Sequence, residues 1–301
     1  MNVRLVSAVA AILTVSLHAQ VATVNPPQQK IKWDDMDLGP FFTGSYKVKD
    51  STSYKGLAVA VGTKEAPATM LYDTELLRFH AAWEGGLASF SRGRGGLEGT
   101  IKNDGELKAS SGWANGWGTE IKEDPRPNHQ GQLPGTKWRG VFVHGDKTLL
   151  SYFVGKQNVL ELPASETRDG QRIFTRTFHI SASTEGQHLL VLDGGGLARP
   201  GANGAVLVEK DGKVTAVGVR GTMPGGKIVV KDGGRIIFQI PPLKAPATFQ
   251  IAFGSGASVE ADKLSVIVST LEVASSKIAM GGLFTIARAM ASRCFWPPEN
   301  R

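Results

Sequence analysis

The feature that most constrains the fold is a series of short apolar runs separated by turn residues. Leu57, Val59 and Val61 alternate with small residues before Gly62 ends the run. Two later pairs of runs are linked by residues 144–147 (HGDK) and 210–212 (KDG). Alternation with a period of two predicts half-buried strands, and short links rich in Gly and Asp predict hairpins. The chain is therefore expected to build antiparallel sheets.

Roughly ten to twelve such runs follow one another, and no helical pattern separates them. No motif recurs at a fixed period, which disfavours a propeller. Many of the 37 glycines fall within residues 85–118, where we expect long surface loops. The predicted fold is all-β, an antiparallel β-sandwich with long Gly-rich loops. Residues 259–301 form a separate C-terminal segment that we predict to be partly helical.

The N-terminus has the pattern of a signal peptide. Arg4 precedes an apolar run over residues 5–17, and Ala19 offers a small residue for cleavage. The run fits a signal peptide and is shorter than the roughly 20 residues that a membrane span needs. We predict a signal peptide at 1–19, an N-terminal arm at 20–53 and a β-sandwich domain at 54–258. The protein is expected to be exported, periplasmic or extracellular, with no transmembrane span.

Cysteine content and charge exclude several classes of function. Cys294 is the single cysteine, so no internal disulfide, Cys-based zinc site, iron–sulfur cluster or C-x-x-C-H haem attachment can form. We expect no cofactor. The formal net charge is +7, but the basic residues are scattered among acids. This pattern indicates a solvated basic surface and no nucleic-acid partner.

Two groups of acids are candidates for chemistry. Asp34, Asp35 and Asp37 offer oxygen ligands of the kind that Ca²⁺ prefers, although their spacing does not match an EF-hand and a solvated turn before Gly39 is the favoured interpretation. Asp73 and Glu75 precede a predicted strand, two positions apart. A glycosidase needs two carboxylates that face each other across a sugar, so this pair is a candidate acid and base.

Two histidines in predicted loops add to the candidates. His129 and His144 both stand in turn-rich sequence, where an imidazole can titrate near neutral pH or contact a ligand. We assign His144 to the catalytic candidates and His129 to the ligand-binding candidates.

The tryptophans suggest a carbohydrate ligand. Trp113 and Trp117 lie in the sequence SGWANGWG, whose small and polar residues offer little to bury an indole ring. Exposed aromatic rings in loops can stack on the apolar faces of sugars. The alternative is that these rings belong to the core, as we expect for Trp83 and Trp138 on predicted strands.

Several long segments resemble a known family. They are WDDMDLGPFF, KGLAVAVG, MLYDTELLRFHAAWEGG, KWRGVFVHGDKTLLSYFVGKQNVLE and FTRTF. These segments are similar to the N-terminal domain of unknown function in large exported bacterial proteins. The resemblance covers roughly residues 31–255. It implies a domain that precedes a sorbosone/glucose-dehydrogenase-like β-propeller and a c-type cytochrome, neither of which this sequence contains.

Two interpretations of function remain open. The first is a non-catalytic exported module that binds polysaccharide or docks on a propeller or cytochrome domain. The second is an extracellular sugar-acting enzyme, a hydrolase or a mutarotase-like protein, that uses carboxylates or a loop histidine. They differ in geometry, because only an enzyme needs these groups to converge on one accessible pocket.

Overall fold

The computed structural model describes residues 36–90 and 100–270. Within these ranges the chain forms seventeen strands, arranged in three antiparallel sheets, and one α-helix. The first sheet contains five consecutive strands, each paired with the next. They are β1 (Phe41–Val48), β2 (Ser51–Ala60), β3 (Ala68–Asp73), β4 (Arg78–Ser89) and β5 (Lys102–Ser110).

The first sheet closes on itself. Ile101, just before β5, donates a backbone hydrogen bond to Ser45 (2.8 Å) and accepts one from Lys47 (2.9 Å). The enclosed face carries a cluster that includes the buried side chains of Tyr46 and Trp83. All six residues of β3 are buried, because one face of this strand looks into the closed sheet and the other into the main core.

The second sheet has eight strands and the third has four. In spatial order, the second sheet contains β12 (Leu197–Pro200), β13 (Val206–Lys210), β14 (Lys213–Thr222), β17 (Ala247–Ala257), β10 (Gln171–Ile180), β9 (Gln157–Arg168), β8 (Lys147–Val154) and β7 (Thr136–His144). The third contains β15 (Lys227–Lys231), β16 (Arg235–Ile240), β11 (Gln187–Leu192) and β6 (Trp117–Gly118).

The main core lies between these sheets and draws apolar side chains from all three. Its centre is aromatic. Phe178 on β10 stacks on Phe249 of β17, with ring centroids 4.8 Å apart and planes 13° apart. Phe174 and Phe253 stack in the same way at 5.6 Å. Both pairs stand directly opposite each other in the β10–β17 ladder, where cross-strand aromatic contacts stabilise a sheet.

A fully buried ion pair crosses this core. The Nε of Arg176 lies 2.6 Å from Oε1 of Glu161, and both side chains are 1% exposed. Tyr152 donates a hydrogen bond of 2.6 Å to the other carboxylate oxygen. The guanidinium also lies over the ring of Phe178, 5.0 Å from its centroid. Every charge in this group therefore has a partner, as buried charges require.

The helix α1 (Ala261–Thr270) follows the last strand. Leu264, Ile267 and Val268 are buried at helical spacing and pack against side chains of the second sheet. Arg220 on β14 donates a hydrogen bond of 2.7 Å to the carbonyl of Ile267, near the end of the helix. No helix in residues 36–90 and 100–270 has both the length and the apolar character needed to cross a bilayer.

The structure confirms the all-β antiparallel prediction and the short helix in the C-terminal segment. It shows seventeen strands in the described ranges, more than the ten to twelve predicted. Phe41–Val48 and the first residues of β2 lie inside the predicted arm but pair in the first sheet. The predicted signal peptide and residues 271–301 lie outside the described residues.

The predicted long loop over residues 85–118 is also partly strand. Gly85 on β4 faces Gly105 on β5, with φ angles of 148° and 141°. A Cβ atom on Gly85 would stand 1.7 Å from the carbonyl oxygen of Asp104. These glycines therefore allow two bulged strands to approach closely, and they do not mark a loop.

Candidate functional site

A groove of about 570 Å³ opens where the first sheet meets the edge of the second. Its walls come from β1, β2 and β7, with the turn after β3 at one end. Three aromatic residues line it: Phe41, Tyr54 and Trp138. Tyr54 is 37% exposed, and the other two are half-buried against the main core. The groove thus presents partly exposed rings, and those of Phe41 and Trp138 are held in place by the main core.

Two β-bulges shape this groove. The register of β1 shifts between Gly44 and Tyr46, and that of β7 shifts between Trp138 and Gly140. A bulge bends its strand and re-aims the neighbouring side chains. Gly140 has φ of 124°, a conformation that side-chain-bearing residues rarely adopt, and nothing lies within 4 Å of where its Cβ would be. The wall beside Trp138 therefore stays open.

Polar groups stand beside the aromatic rings. Thr43, Ser45 and Thr74 line the groove, together with Lys55. The Thr74 hydroxyl donates a hydrogen bond of 2.8 Å to the Lys55 carbonyl, which joins the turn to β2. Ring faces next to hydroxyl groups and an ammonium group can contact both the apolar face and the hydroxyls of a sugar.

The predicted acids Asp73 and Glu75 stand behind this end of the groove, on either side of Thr74. Asp73 is 2% exposed, and its Oδ1 accepts hydrogen bonds of 3.0 Å from the backbone N–H groups of Glu75 and Leu76. Its Oδ2 lies 3.6 Å from Nη2 of Arg78. Asp73 therefore holds the β3–β4 turn in shape.

Glu75 belongs to an ion network that anchors the irregular segment 111–135. The side chain of Glu75, 17% exposed, lies 3.6 Å from Nη1 of Arg126. Arg126 also donates hydrogen bonds of 2.8 Å to each carboxylate oxygen of Asp124. Burial acts to raise the pKa of Asp124, but hydrogen bonds from Arg126 and His129 outweigh it and lower that pKa. Asp124 therefore stays ionised and paired.

Trp113 and His129 cover this network. Their rings stack with centroids 3.9 Å apart and planes 21° apart. Nδ1 of His129 lies 3.1 Å from Oδ2 of Asp124, and Nε1 of Trp113 donates a hydrogen bond to the Asp50 carbonyl. The predicted ligand-binding residues Trp113 and His129 do come together, and the predicted acids lie next to them. These side chains are engaged with one another.

Arg78 lies under the same cover. Its side chain is fully buried, and its guanidinium carbon stands 5.3 Å from the centre of the Trp113 ring. Its three nitrogen atoms have no hydrogen-bond partner within the described part of the chain. Burial lowers the pKa of Arg78, while the charges of Asp73 and Asp124 act in the opposite direction. Arg78 thus links the Asp73 turn to the Trp113 cover by proximity and charge.

Trp117 does not form the exposed platform that its sequence context predicts. It lies on β6, is 1% exposed, and donates a hydrogen bond of 3.2 Å from Nε1 to the hydroxyl of Tyr152. A Cβ atom on the preceding Gly116 would stand 1.9 Å from the Leu77 carbonyl oxygen. The small residues around Trp117 allow the backbone to pack closely and the indole to enter the core, so no sugar can stack on it.

The other predicted residues lie elsewhere. His144 is exposed in the β7–β8 hairpin, and no hydrogen bond or ion pair joins it to another candidate within the described ranges. Asp37 accepts a hydrogen bond of 2.8 Å from the backbone N–H of Gly39 and lines a second hollow with Asp104. Asp34 and Asp35 lie outside the described residues. Residues 36–90 and 100–270 contain no cluster of three or more potential metal ligands.

Sequence reasoning missed the groove itself. It assigned Trp138 to the core and gave no role to Phe41, Tyr54 or Lys55. One signal was available, because Trp138 stands between Lys137 and Arg139 and two residues before Gly140. An aromatic residue flanked by charges and followed by glycine is typical of a surface strand. The position of β7 across the groove from β1 and β2 had no such local signal.

Comparison with known proteins gives a family match for part of the chain. Residues 70–161 match a domain of unknown function, DUF6797. This region runs from β3 to the middle of β9. It contains the ion network and the β7 wall of the groove, whereas Phe41, Tyr54 and Lys55 precede it. No curated protein matches the sequence.

Two solved structures share a distant similarity of shape. A heparinase III gene product is 9% identical, with a TM-score of 0.37, and the match covers 71% of this chain and 36% of that protein. A heparinase III with methylated lysines is 10% identical, with a TM-score of 0.38, over 72% of this chain and 36% of that one. This chain thus spans about a third of the length of these proteins.

Proposed function

We propose that this chain is an exported, non-catalytic β-sandwich module that binds carbohydrate in the groove between β1, β2 and β7. One observation carries the proposal: Phe41, Tyr54 and Trp138 line a single open groove together with hydroxyl groups. Aromatic side chains held by a packed core supply contact area at a small cost in conformational entropy. Sugars, with an apolar ring face and a polar rim, are complementary to such a surface.

The state of the candidate acids supports a binding role. Asp73 is buried and engaged with two backbone N–H groups. Asp124 is paired with Arg126, and Glu75 faces the same arginine. A general acid or base needs access to the proton that it transfers. Glu75 and Asp124 instead help attach the segment 111–135 to the first sheet through Arg126, and Asp73 holds the β3–β4 turn.

Binding can be tested by titrating the purified protein with a panel of polysaccharides, followed by intrinsic fluorescence and calorimetry. Trp138→Ala is expected to weaken binding about tenfold or more, as for a central aromatic anchor. Tyr54→Ala gives a second variant at a more exposed position. The matched control is Phe153→Ala. Phe153 follows Tyr152 on β8, so its side chain points to the face of the sheet opposite that of Tyr152.

Unchanged affinity in both Trp138→Ala and Tyr54→Ala would place binding elsewhere and contradict the proposal. The proposal is also contradicted if no polysaccharide in the panel binds. Circular dichroism of each variant separates a loss of binding from a loss of structure.

Export and attachment to a larger protein are further parts of this proposal. The apolar run at residues 5–17 supports export, and N-terminal sequencing of protein recovered from a periplasmic fraction should start near Gln20. The resemblance described above supports a propeller or cytochrome partner. The coding sequence downstream of this chain should then encode a propeller and a C-x-x-C-H motif. Mature protein that retains residues 1–19 in the cytoplasm contradicts export.

A sugar-acting enzyme is the second candidate, because the structure brings Asp73, Glu75 and His129 close to Trp113. Glu75 and His129 retain some exposure, at 17% and 43% of their side chains. If this cluster is catalytic, any hydrolysis or anomer interconversion by the wild type should disappear in Glu75→Gln and persist in Glu120→Gln, an exposed control. Equal rates in the two variants contradict a catalytic role for Glu75.

A further inference from the structure

The charge of the groove is set by one residue. Among the described residues that line it, Lys55 alone has a charged side chain, and the others are aromatic, aliphatic, hydroxylated or glycine. Lys55 is exposed on β2, next to Tyr54 in the chain. Within the described ranges, no carboxylate forms an ion pair with its ammonium group, although many other basic side chains of the protein are paired.

The two acids that flank Thr74, Asp73 and Glu75, do not line the groove. Thr74 lines the groove, but the carboxylates on either side of it face Arg78 and Arg126. Their negative charge is therefore offset by these two guanidinium groups. An unpaired ammonium beside a partly apolar wall attracts anions more strongly than the same group in open water. The protein as a whole is also basic, with a formal net charge of +7.

Resting on the carbohydrate-binding function proposed above, we infer that the groove selects acidic saccharides. Aromatic rings would contact the apolar face of one sugar ring, while Lys55 pairs with an anionic substituent on that ring or its neighbour. The substituent is a uronate carboxylate or a sulfate ester, since both place negative charge within reach of a lysine. Neutral glycans should bind the same groove more weakly, through the aromatic contacts alone.

The test compares two matched ligand pairs on the wild type and two charge-removing variants. Oligogalacturonate and its methyl ester differ only in the carboxylate, and sulfated and unsulfated dextran oligosaccharides differ only in the sulfate. Lys55→Gln removes the groove charge. Lys137→Gln is the control, because Lys137 is an exposed lysine next to Trp138 that does not line the groove.

Calorimetry should show that Lys55→Gln weakens binding of an acidic ligand about fivefold, the upper range for an exposed ion pair. Affinity for its neutral counterpart should be unchanged, and Lys137→Gln should bind both like the wild type. The acidic pair that shows this difference identifies the substituent as uronate or sulfate. The advantage of the acidic ligand should shrink as salt is raised from 0.05 to about 0.5 M.

Two outcomes overturn the inference in distinguishable ways. If neutral and acidic ligands bind equally and Trp138→Ala weakens both, the groove binds sugar without selecting charge. If Lys55→Gln and Lys137→Gln reduce acidic binding equally, the attraction is a property of the overall basic surface. Failure of every ligand to bind, in contrast, contradicts the proposed function itself.

Discussion

Glu161→Gln should be one of the most destabilising single changes in this protein. The substitution removes the negative charge that lies 2.6 Å from Arg176, in a pair whose side chains are both 1% exposed. It leaves a guanidinium buried without a counter-charge, since the contact with the ring of Phe178 does not replace a carboxylate. Breaking a buried pair in this way typically costs about 3–5 kcal/mol of unfolding free energy.

That loss is large compared with the roughly 5–15 kcal/mol that holds a domain together. It can be measured from urea unfolding, where the midpoint should fall while the slope is unchanged. Glu166→Gln is the matched control, because Glu166 lies on the same strand and pairs with Arg168 at 3.0 Å near the surface. Its loss should cost no more than about 1 kcal/mol.

A double replacement completes the test. Glu161→Leu combined with Arg176→Met removes both charges and keeps most of the volume, so the double variant should recover much of the stability that either single change loses. If Glu161→Gln costs as little as the Glu166 control, the pair contributes nothing to the core. Additive single effects in the double variant would likewise refute the coupling inferred from the geometry.

The remaining predictions concern pH and the attachment of the segment 111–135. Burial, together with the nearby charge of Arg78, lowers the pKa of His80 well below its ordinary value. The unfolded chain therefore takes up a proton that the folded chain does not, and unfolding free energy should drop below pH 6.5 by up to about 1.4 kcal/mol per pH unit. His80→Gln should flatten this slope, and an unchanged slope contradicts the assignment. The pKa of Asp124 is lowered in the folded protein. Its carboxylate therefore contributes fully to the unfolding free energy above the ordinary pKa of an aspartate, and this contribution is lost as the pH falls through the lowered pKa. Asp124→Asn should cost about 1–3 kcal/mol of unfolding free energy and red-shift the fluorescence of Trp113. An unshifted spectrum contradicts the role of Asp124 in holding the Trp113 and His129 rings in place.

Sequence reasoning reached the fold class because the signals were local. The alternation from Leu57 to Val61 and the KDG link at 210–212 depend on residues a few positions apart, and each became a strand or a hairpin. Local signals gave the wrong prediction where a glycine allows two distant segments of the backbone to pack closely. Gly85 and Gly116 were interpreted as loop residues, but both mark places where two backbones approach closely.

In the candidate site, too, the sequence predicted local features but not the contacts between distant parts of the chain. The sequence predicted that Asp73 and Glu75 lie close together just before a strand, and the backbone N–H of Glu75 does donate a hydrogen bond to Asp73. It could not predict that Arg126 faces Glu75, or that the indole of Trp113 donates to the carbonyl of Asp50, because these contacts join distant parts of the chain. Whether an acid is free to react depends on such partners, and spacing along the chain does not contain that information.

The amino-acid sequence by itself determined that this protein is built from antiparallel strands, since the period of two and the turn residues act within single hairpins. Only the tertiary structure decided which aromatic rings are available to a ligand. Trp117, in a Gly-rich stretch, is buried, while Trp138, on a strand, lines an open groove. The physical reason is that exposure depends on how separate sheets pack, and here two bulged strands from different sheets leave a gap that neither strand specifies alone.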